Sequence, residues 1–361
     1  MVRNLELRRR SYIRLSAQIA SMENDPLDAP GDQTAEPTAW GRTGVLKVGR
    51  SSVFVKRIPV TDVELANQFS TRNLYDLPSK FNYGIGSFGL GVFRELAACI
   101  KCNHWVLSGQ WPFFPLTYHH RIVPRPTSGT GAEPRSISQF AHYWGGDANI
   151  ARYEEDRLNA RHELVLFQEY FPHTLHPWLR QNPGRTVQTM KKLFATVEFL
   201  REQGVIHFDA HFQNVVTDGV NPYLTDFGLA LDRKFSLSPK ETVFFRVHAD
   251  YDYARLISCL AFHLEDRYRT LSQAAQHDLK QKHGLSHDAT ERQTIRALAG
   301  MAKHLPPDLN LASGYARMLE EYGEIYVLMQ SFSASLIESP SKDLPFPHNR
   351  LRQLLSSAGL T

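Results

Sequence analysis

Cysteine is scarce in this chain, and the long apolar runs that mark a membrane span are missing. The 361 residues include three cysteines, an odd and sparse set that argues against a secreted disulfide scaffold and favours a reducing compartment. No stretch approaches the ~18 apolar residues of a transmembrane helix, and the basic N-terminus lacks the apolar core of a signal peptide. We therefore expect a cytoplasmic protein with no membrane span.

A strong excess of one charge is also missing. Lysine and arginine number 41 against 37 acidic residues, a net charge of +4 that gives no reason to predict a nucleic-acid partner. The C-x-x-C formed by Cys99 and Cys102 has no second pair to complete a zinc site, so we interpret both as small buried residues of a helix. The hydrophobic share of 42% is typical of a soluble globular protein.

The chain divides near residue 40. Apolar residues recur at helical spacing from Leu5 to Ile19 and predict an N-terminal helix, which a linker rich in proline, aspartate and glycine follows from about Asn24 to Thr38. We therefore separate residues 1–39, a helix and linker, from a main domain of residues 40–361. No internal repeat is evident.

Short β-branched runs open the main domain. The runs TGVLKVG and SSVFVKRI flank Gly49 and Arg50 and predict an antiparallel hairpin whose second strand carries Lys56. A helical pattern follows between Pro59 and Pro115 and includes Glu95. Extended runs then begin at Pro115 and at Glu163. Residues 124–161, between them, are interpreted as an insertion with a polar helix from about Ala148 to Ala160.

Polar residues with catalytic chemistry concentrate in one block. The sequence His207-Phe-Asp209-Ala-His-Phe-Gln-Asn214 is followed, after a turn at Asp218-Gly219, by Asp226-Phe-Gly. An amphipathic helix precedes the block, and helices dominate from Thr186 onward. Carboxylate and amide oxygens at these positions are hard ligands of the kind that Mg²⁺ prefers.

This block resembles the catalytic and metal-binding loops of the protein-kinase-like superfamily, in type and in spacing. The resemblance implies an α+β, bilobal fold with an antiparallel-sheet N-lobe over about 40–170 and a helical C-lobe over about 171–361. It implies an ATP- and Mg²⁺-dependent phosphotransferase in which Asp209 is the catalytic carboxylate. Asn214 and Asp226 would be catalytic residues that hold the metal.

The same resemblance assigns residues that bind the nucleotide. Lys56 would grip the phosphates and pair with Glu95, and the backbone from Glu169 to Phe171 would hydrogen-bond the adenine. We place Gly41, Gly44 and Gly49 near the hairpin that covers the phosphates. Gly84 to Gly89 match G-x-G-x-x-G, but we interpret them as a flexible lead into the helix. Asp252 resembles the buried aspartate that braces the catalytic loop.

The phosphate acceptor stays open at this stage. H-x-D-x-H-x-x-N is more like aminoglycoside and choline phosphotransferases, whereas D-F-G-L-A is more like protein kinases, so either a protein or a small molecule fits, with a protein slightly preferred. A nucleotide-binding pseudokinase or scaffold is one alternative. Another is a metal-dependent hydrolase, since His207, Asp209 and His211 alternate and could share one face of a strand.

Overall fold

The computed structural model describes residues 5–23, 41–125, 136–302, 305 and 309–360. The predicted linker at 24–38 and part of the predicted insertion lie outside these residues. Within them the fold is mixed, with small antiparallel sheets and many helices.

The largest sheet has four antiparallel strands in the order β1-β2-β4-β3. Its strands are β1 Arg42–Val48, β2 Ser51–Val60, β3 Thr117–Pro124 and β4 His162–Glu169. The predicted hairpin of β1 and β2 is confirmed, and Gly49 adopts a φ of 59° at its turn. Strand β4 lies between two neighbours and is buried along nearly its whole length, which explains its continuous apolar sequence.

Helices flank this sheet. They are α1 Leu5–Ala20, α2 Asp62–Ala66 and α3 Val92–Ser108. The apolar face of α3 packs on β2 and β4, where Phe93 and Leu96 join Ile58, Leu164 and Leu166 in one buried cluster. The helical pattern predicted between Pro59 and Pro115 is therefore only partly right, because most of residues 67–91 is irregular. Cys99 and Cys102 are buried free thiols of α3, as expected.

Two helices occupy the described part of the insertion. They are α4 Ile137–Tyr143 and α5 Ala148–Leu158, and the second confirms the predicted polar helix. Aromatic residues of these helices pack against the irregular stretch between α2 and α3. The resulting cluster includes Phe140, Trp144 and Tyr153 together with Tyr75 and Phe81. The insertion thus supports a segment that comes much earlier in the chain.

The rest of the chain is mainly helical, as predicted. Its helices are α6 Leu175–Gln181, α7 Thr186–Glu202, α8 Pro239–Val247, α9 Tyr251–Ile257, α10 Phe262–Thr270, α11 Gln273–Lys282, α12 Glu291–Gly300, α13 Ser313–Glu338 and α14 His348–Ser357. Apolar residues of α7, among them Met190, Leu193 and Val197, are buried in the main core. No helix in the described ranges is both long and apolar enough to cross a bilayer.

Short strands interrupt the helices around residues 207–228, the block of polar residues noted in the sequence. They are β5 His173–Thr174, β6 Val205–Ile206, β7 Val215–Thr217, β8 Pro222–Leu224 and β9 Leu231–Asp232. Strands β7 and β8 form a hairpin in which Val215 pairs with Leu224, and Gly219 takes a φ of 88° at its turn. The hairpin brings its two ends together. Asn214 therefore lies just before β7 on the same side as Asp226, which follows β8.

Candidate active site

Lys56 of β2 joins two carboxylates from distant parts of the chain. Its Nζ lies 2.7 Å from Glu95 Oε1 on α3 and 2.8 Å from Asp226 Oδ1 after β8. The separation of 39 residues between Lys56 and Glu95 does not prevent this contact, because the irregular stretch before α3 returns the chain to the sheet. The Glu95 side chain is 7% exposed and that of Asp226 is 43% exposed, so Asp226 is the carboxylate open to a ligand.

The charges of Lys56, Glu95 and Asp226 shift one another's pKa values. Burial opposes the charge on Lys56, but Asp226 and Glu95 prevail and raise its pKa above the ordinary value. Burial raises the pKa of Glu95, and Lys56 offsets this only in part. Burial also acts to raise the pKa of Asp226, yet the charge of Lys56 holds it below its ordinary value. Lys56 and Asp226 are therefore ionised at neutral pH.

The loop that carries Asp209 is braced from α9. The Asp252 carboxylate accepts hydrogen bonds from the backbone N–H of His207 at 2.6 Å and of Phe208 at 2.9 Å. Phe208 has a φ of 62°, a conformation that bulky residues rarely adopt, and its ring is fully buried. The two hydrogen bonds and the packing hold this strained turn, which fixes where Asp209 points.

Asp209 is held by three side chains. Its Oδ2 accepts from Asn214 Nδ2 at 2.9 Å and lies 3.3 Å from His211 Nε2, while its Oδ1 lies 3.3 Å from Arg255 Nη2. Burial acts to raise the pKa of Asp209, but the hydrogen bond and charge of His211 and the charge of Arg255 lower it to about 2. The carboxylate is therefore ionised and fixed in orientation.

Asn214 and Asp226 could share a metal ion. Asn214 donates its amide N–H to Asp209, which leaves its amide oxygen as the possible ligand, and Asp226 supplies a carboxylate at a backbone φ of 62°. An amide and a carboxylate suit Mg²⁺, which keeps several positions for water and phosphate. The hairpin of β7 and β8 fixes their separation, and Thr225 N–H donates to the Asn214 carbonyl at 2.9 Å.

The alternative metal site at His207, Asp209 and His211 finds no support in the geometry. His207 Nε2 lies 3.0 Å from the Thr225 carbonyl, and its Nδ1 accepts from the Asp209 N–H at 3.3 Å, so both ring nitrogens are engaged. Across the described residues no group of three or more histidine, cysteine or acidic side chains is arranged to hold a metal.

These residues surround a pocket of about 330 Å³. Its lining includes Lys56, Glu95, Asp209, Asn214 and Asp226. The volume lies in the range of small-ligand sites. Five residues predicted from the sequence to belong to one phosphoryl-transfer site thus line one cavity, although they come from a strand, a helix and two loops.

The glycines singled out in the sequence differ in how they relate to the pocket. Gly44 lies on β1 opposite Val55, and it does not belong to the described residues that line the pocket. Gly84 and Gly86 belong to the segment that leads into α3, as expected, and they also line the pocket. Ile85 and Phe88 of this segment pack against aromatic residues from the region 137–153, which is remote in sequence.

Glu169 and Phe171 lie where β4 leads into the helical part. The Glu169 backbone N–H donates to the Leu116 carbonyl at 2.7 Å, and the Glu169 carboxylate pairs with Arg8 of α1 at 2.6 Å. The Phe171 ring packs on Tyr223 with centroids 4.3 Å apart. Neither belongs to the described lining of the pocket that contains Lys56.

Sequence reasoning missed three arginines near the site. Arg255 follows Asp252 by one helical turn, so both side chains lie on the same face of α9. This i, i+3 spacing is the sequence feature from which the contact of Arg255 with the Asp209 loop could have been predicted. Arg157 of α5 lines the pocket from the insertion, with its guanidinium 4.6 Å from the Phe88 ring centroid. Arg8 reaches Glu169 from α1. No local pattern indicates either of the last two, because both contacts join segments far apart in sequence.

The chain matches no model of a known protein family, and no curated protein matches it.

Proposed function

We propose that this protein is an ATP- and Mg²⁺-dependent phosphotransferase of the protein-kinase-like superfamily. The sheet with α3 would form an N-lobe, and the helical part would form a C-lobe. One observation carries the proposal: Lys56 bridges Glu95 and Asp226 at 2.7 and 2.8 Å, directly beside Asp209 and Asn214 in one pocket. A strand lysine, a helix glutamate and two loop carboxylates are among the parts that protein kinases use for phosphoryl transfer from ATP.

The chain's own residues fit a metal nucleotide. Lys56 offers a fixed positive charge for phosphate oxygens, and Asn214 and Asp226 would hold Mg²⁺ through oxygen atoms. The bound ion would neutralise charge on the phosphates and orient them for in-line displacement. Arg157 adds a further cation to the wall of the pocket. Hard oxygen ligands and cations at one pocket suit a triphosphate better than an uncharged ligand.

Asp209 would orient the acceptor hydroxyl. With a pKa of about 2 it is a weak base, so it accepts a hydrogen bond from the hydroxyl and takes the proton only as the new bond forms. Arg255 and His211 keep this carboxylate ionised and aimed. Such positioning accounts for most of the catalysis expected in phosphoryl transfer, where little covalent chemistry falls to the protein.

Thermal unfolding with ATP, with and without Mg²⁺, tests the nucleotide site. A ligand that binds only the folded state at a hundred times its Kd adds about 2.7 kcal/mol to the free energy of unfolding. We expect a Mg²⁺-dependent rise in Tm for the wild type that Asp226→Ala abolishes. Asp288→Ala removes a carboxylate that is 94% exposed and should leave the rise intact. A wild type without any shift would overturn the proposal.

Asp209→Asn separates binding from chemistry. The variant should keep the Mg²⁺-dependent shift, because Asp209 is not assigned to the metal, while the transfer rate falls by about 10²- to 10⁴-fold. Transfer at the wild-type rate would show that the assigned mechanism is wrong. Nucleotide binding by a wild type that transfers no phosphate would favour the scaffold alternative.

A further inference from the structure

Residues 83–89, called here the glycine segment, press against the catalytic residues. Gly84 lies so close to Asp209 that a Cβ atom added there would overlap the Asp209 carboxylate. At the other end, a Cβ on Gly89 would overlap the carbonyl oxygen of Gly228, directly after Asp226-Phe227. Backbone of the glycine segment therefore occupies space immediately beside both Asp209 and the metal-binding loop.

Packing from both sides holds the glycine segment in this position. The Tyr83 hydroxyl lies 2.6 Å from His248 Nε2, and the Tyr83 side chain is 2% exposed among aromatic rings of the helical part. On the other side, Tyr143 of α4 donates its hydroxyl to the Ile85 carbonyl at 2.8 Å. The Phe88 ring stacks on Phe140 with centroids 5.2 Å apart. The glycine segment, held by these contacts, therefore forms one wall of the pocket.

This wall restricts what can reach Asp209. A serine or threonine of a protein reaches a catalytic carboxylate only with its flanking backbone, which as an extended strand needs about 4.8 Å of width beside it. The backbone of Gly84 lies so close to the Asp209 carboxylate that not even a Cβ atom fits between them, and the Asp209 side chain is 20% exposed. The pocket of about 330 Å³ that Asp209 lines would also have to admit the phosphates of the nucleotide.

We propose that the phosphate acceptor is a small hydroxyl-bearing molecule rather than a serine or threonine of a protein. The inference rests on the proposed phosphotransferase function and narrows its substrate class. Ser87, Arg157, His211 and Gln213 supply polar groups to the lining of the pocket. Such a lining suits an acceptor with several hydroxyl groups, because hydroxyl groups can both donate hydrogen bonds to polar side chains and accept them.

The reaction balances without a further reagent. The acceptor oxygen forms a bond to the γ-phosphorus, while the bond from that phosphorus to the bridging oxygen of ATP breaks and ADP leaves. The acceptor proton passes to Asp209 and then to water. The products are the phosphorylated acceptor, ADP and one proton.

Transfer from γ-³²P-labelled ATP tests the inference. One arm holds monosaccharides, polyols, amino alcohols and nucleosides, and the other holds dephosphorylated casein and a library of serine and threonine peptides. We expect label in small molecules and none above background in protein. Label in protein or peptide at an equal or higher kcat/KM would overturn the inference. Label in neither arm would also overturn the inference. In that case a Mg²⁺-dependent shift in Tm would show that the nucleotide site of the proposed function still stands, and its absence would show that the proposed function fails as well.

Variants that loosen the packing of the glycine segment test whether it positions the acceptor or inhibits the site as a flap. Tyr143→Phe removes the hydrogen bond to Ile85, and Phe88→Ala removes the stacked ring. If the wall positions a small acceptor, each variant should lower kcat/KM for that acceptor by about 10-fold or more, since small displacements in an active site are costly. Tyr12→Phe on α1 is the matched control and should change nothing. Protein phosphorylation that appears in the loosened variants would instead identify an autoinhibitory segment and contradict the inference.

Discussion

At the scale of single residues, Lys56 is the side chain on which the site depends most. It is the common partner of Glu95 and Asp226, and the Lys56 side chain is 13% exposed. A charge in that position costs free energy to bury, and the two carboxylates compensate for it. Without the lysine, Glu95 and Asp226 would repel each other across the entrance to the pocket. Lys56 would therefore affect both the proposed nucleotide binding and the positions of the Glu95 and Asp226 side chains.

Lys56→Met should weaken nucleotide binding and lower the transfer rate by about 10²- to 10³-fold, the usual loss when one fixed electrostatic contact to the reacting group is removed. Lys47→Met is the matched control, because Lys47 lies on the neighbouring strand β1 and its Nζ contacts Ser52 at 2.7 Å on the surface. Both variants are measured by the Mg²⁺·ATP shift in Tm and by γ-phosphate transfer. A Lys56→Met variant with wild-type binding would remove the basis for the proposed site.

At the scale of secondary-structure elements, α1 acts as a clamp on the end of β4. Arg8 pairs with Glu169 at 2.6 Å and donates to the carbonyl oxygens of Pro112 and Phe114, both at 2.6 Å. Its guanidinium also lies 5.4 Å from the ring centroid of Tyr223 on β8. One arginine of the N-terminal helix thus ties the sheet to the hairpin that carries Asp226.

Arg8→Met should lower the free energy of unfolding by about 3–5 kcal/mol, because it removes a buried guanidinium that pairs with the Glu169 carboxylate and donates to two backbone carbonyl oxygens. Arg10→Met on the same helix breaks a surface pair with Glu6, whose partners are 73% and 56% exposed. That control variant should lower the free energy of unfolding by about 0.5 kcal/mol or less. Urea unfolding of the three proteins measures the difference. Equal losses in both variants would contradict a clamp by Arg8.

At the scale of the whole molecule, buried histidines make stability depend on pH. Burial lowers the pKa of His207 and of His248 to about 4 from an ordinary value of 6.5. The unfolded chain then binds more protons than the folded one between these values, so stability falls as pH decreases through this window. Asp252 acts in the opposite sense, because burial raises its pKa to about 7.

A His248→Gln variant isolates one histidine from these opposing groups. Each buried histidine removes about 1.4 kcal/mol of unfolding free energy per pH unit below 6.5, until its folded-state pKa is reached. The variant should therefore lose less stability than the wild type between pH 6.5 and 4.5, even if its Tm at pH 7 is lower. His104→Gln changes an exposed histidine of α3 and should keep the wild-type slope. Unfolding curves at stepped pH values measure this, and equal slopes in all three proteins would contradict it.

The sequence by itself determined the local parts of this protein. The hairpin that carries Lys56, the buried strand β4, the helix with Glu95 and the turn between β7 and β8 follow from short-range patterns, because side-chain period and turn residues act within a few positions. The spacing from Asp209 to Asn214 and Asp226 indicated one site for the same reason, since a short hairpin joins them.

Only the tertiary structure decided which distant segments close the pocket. The glycine segment lines it, and Tyr83 and Phe88 at its ends contact aromatic rings more than 50 residues away in sequence. Gly44 pairs with Val55 on the hairpin and is not part of the described lining. Arg8 meets Glu169 from 161 residues away. Such contacts depend on how whole elements pack, and no local pattern of residue types encodes them.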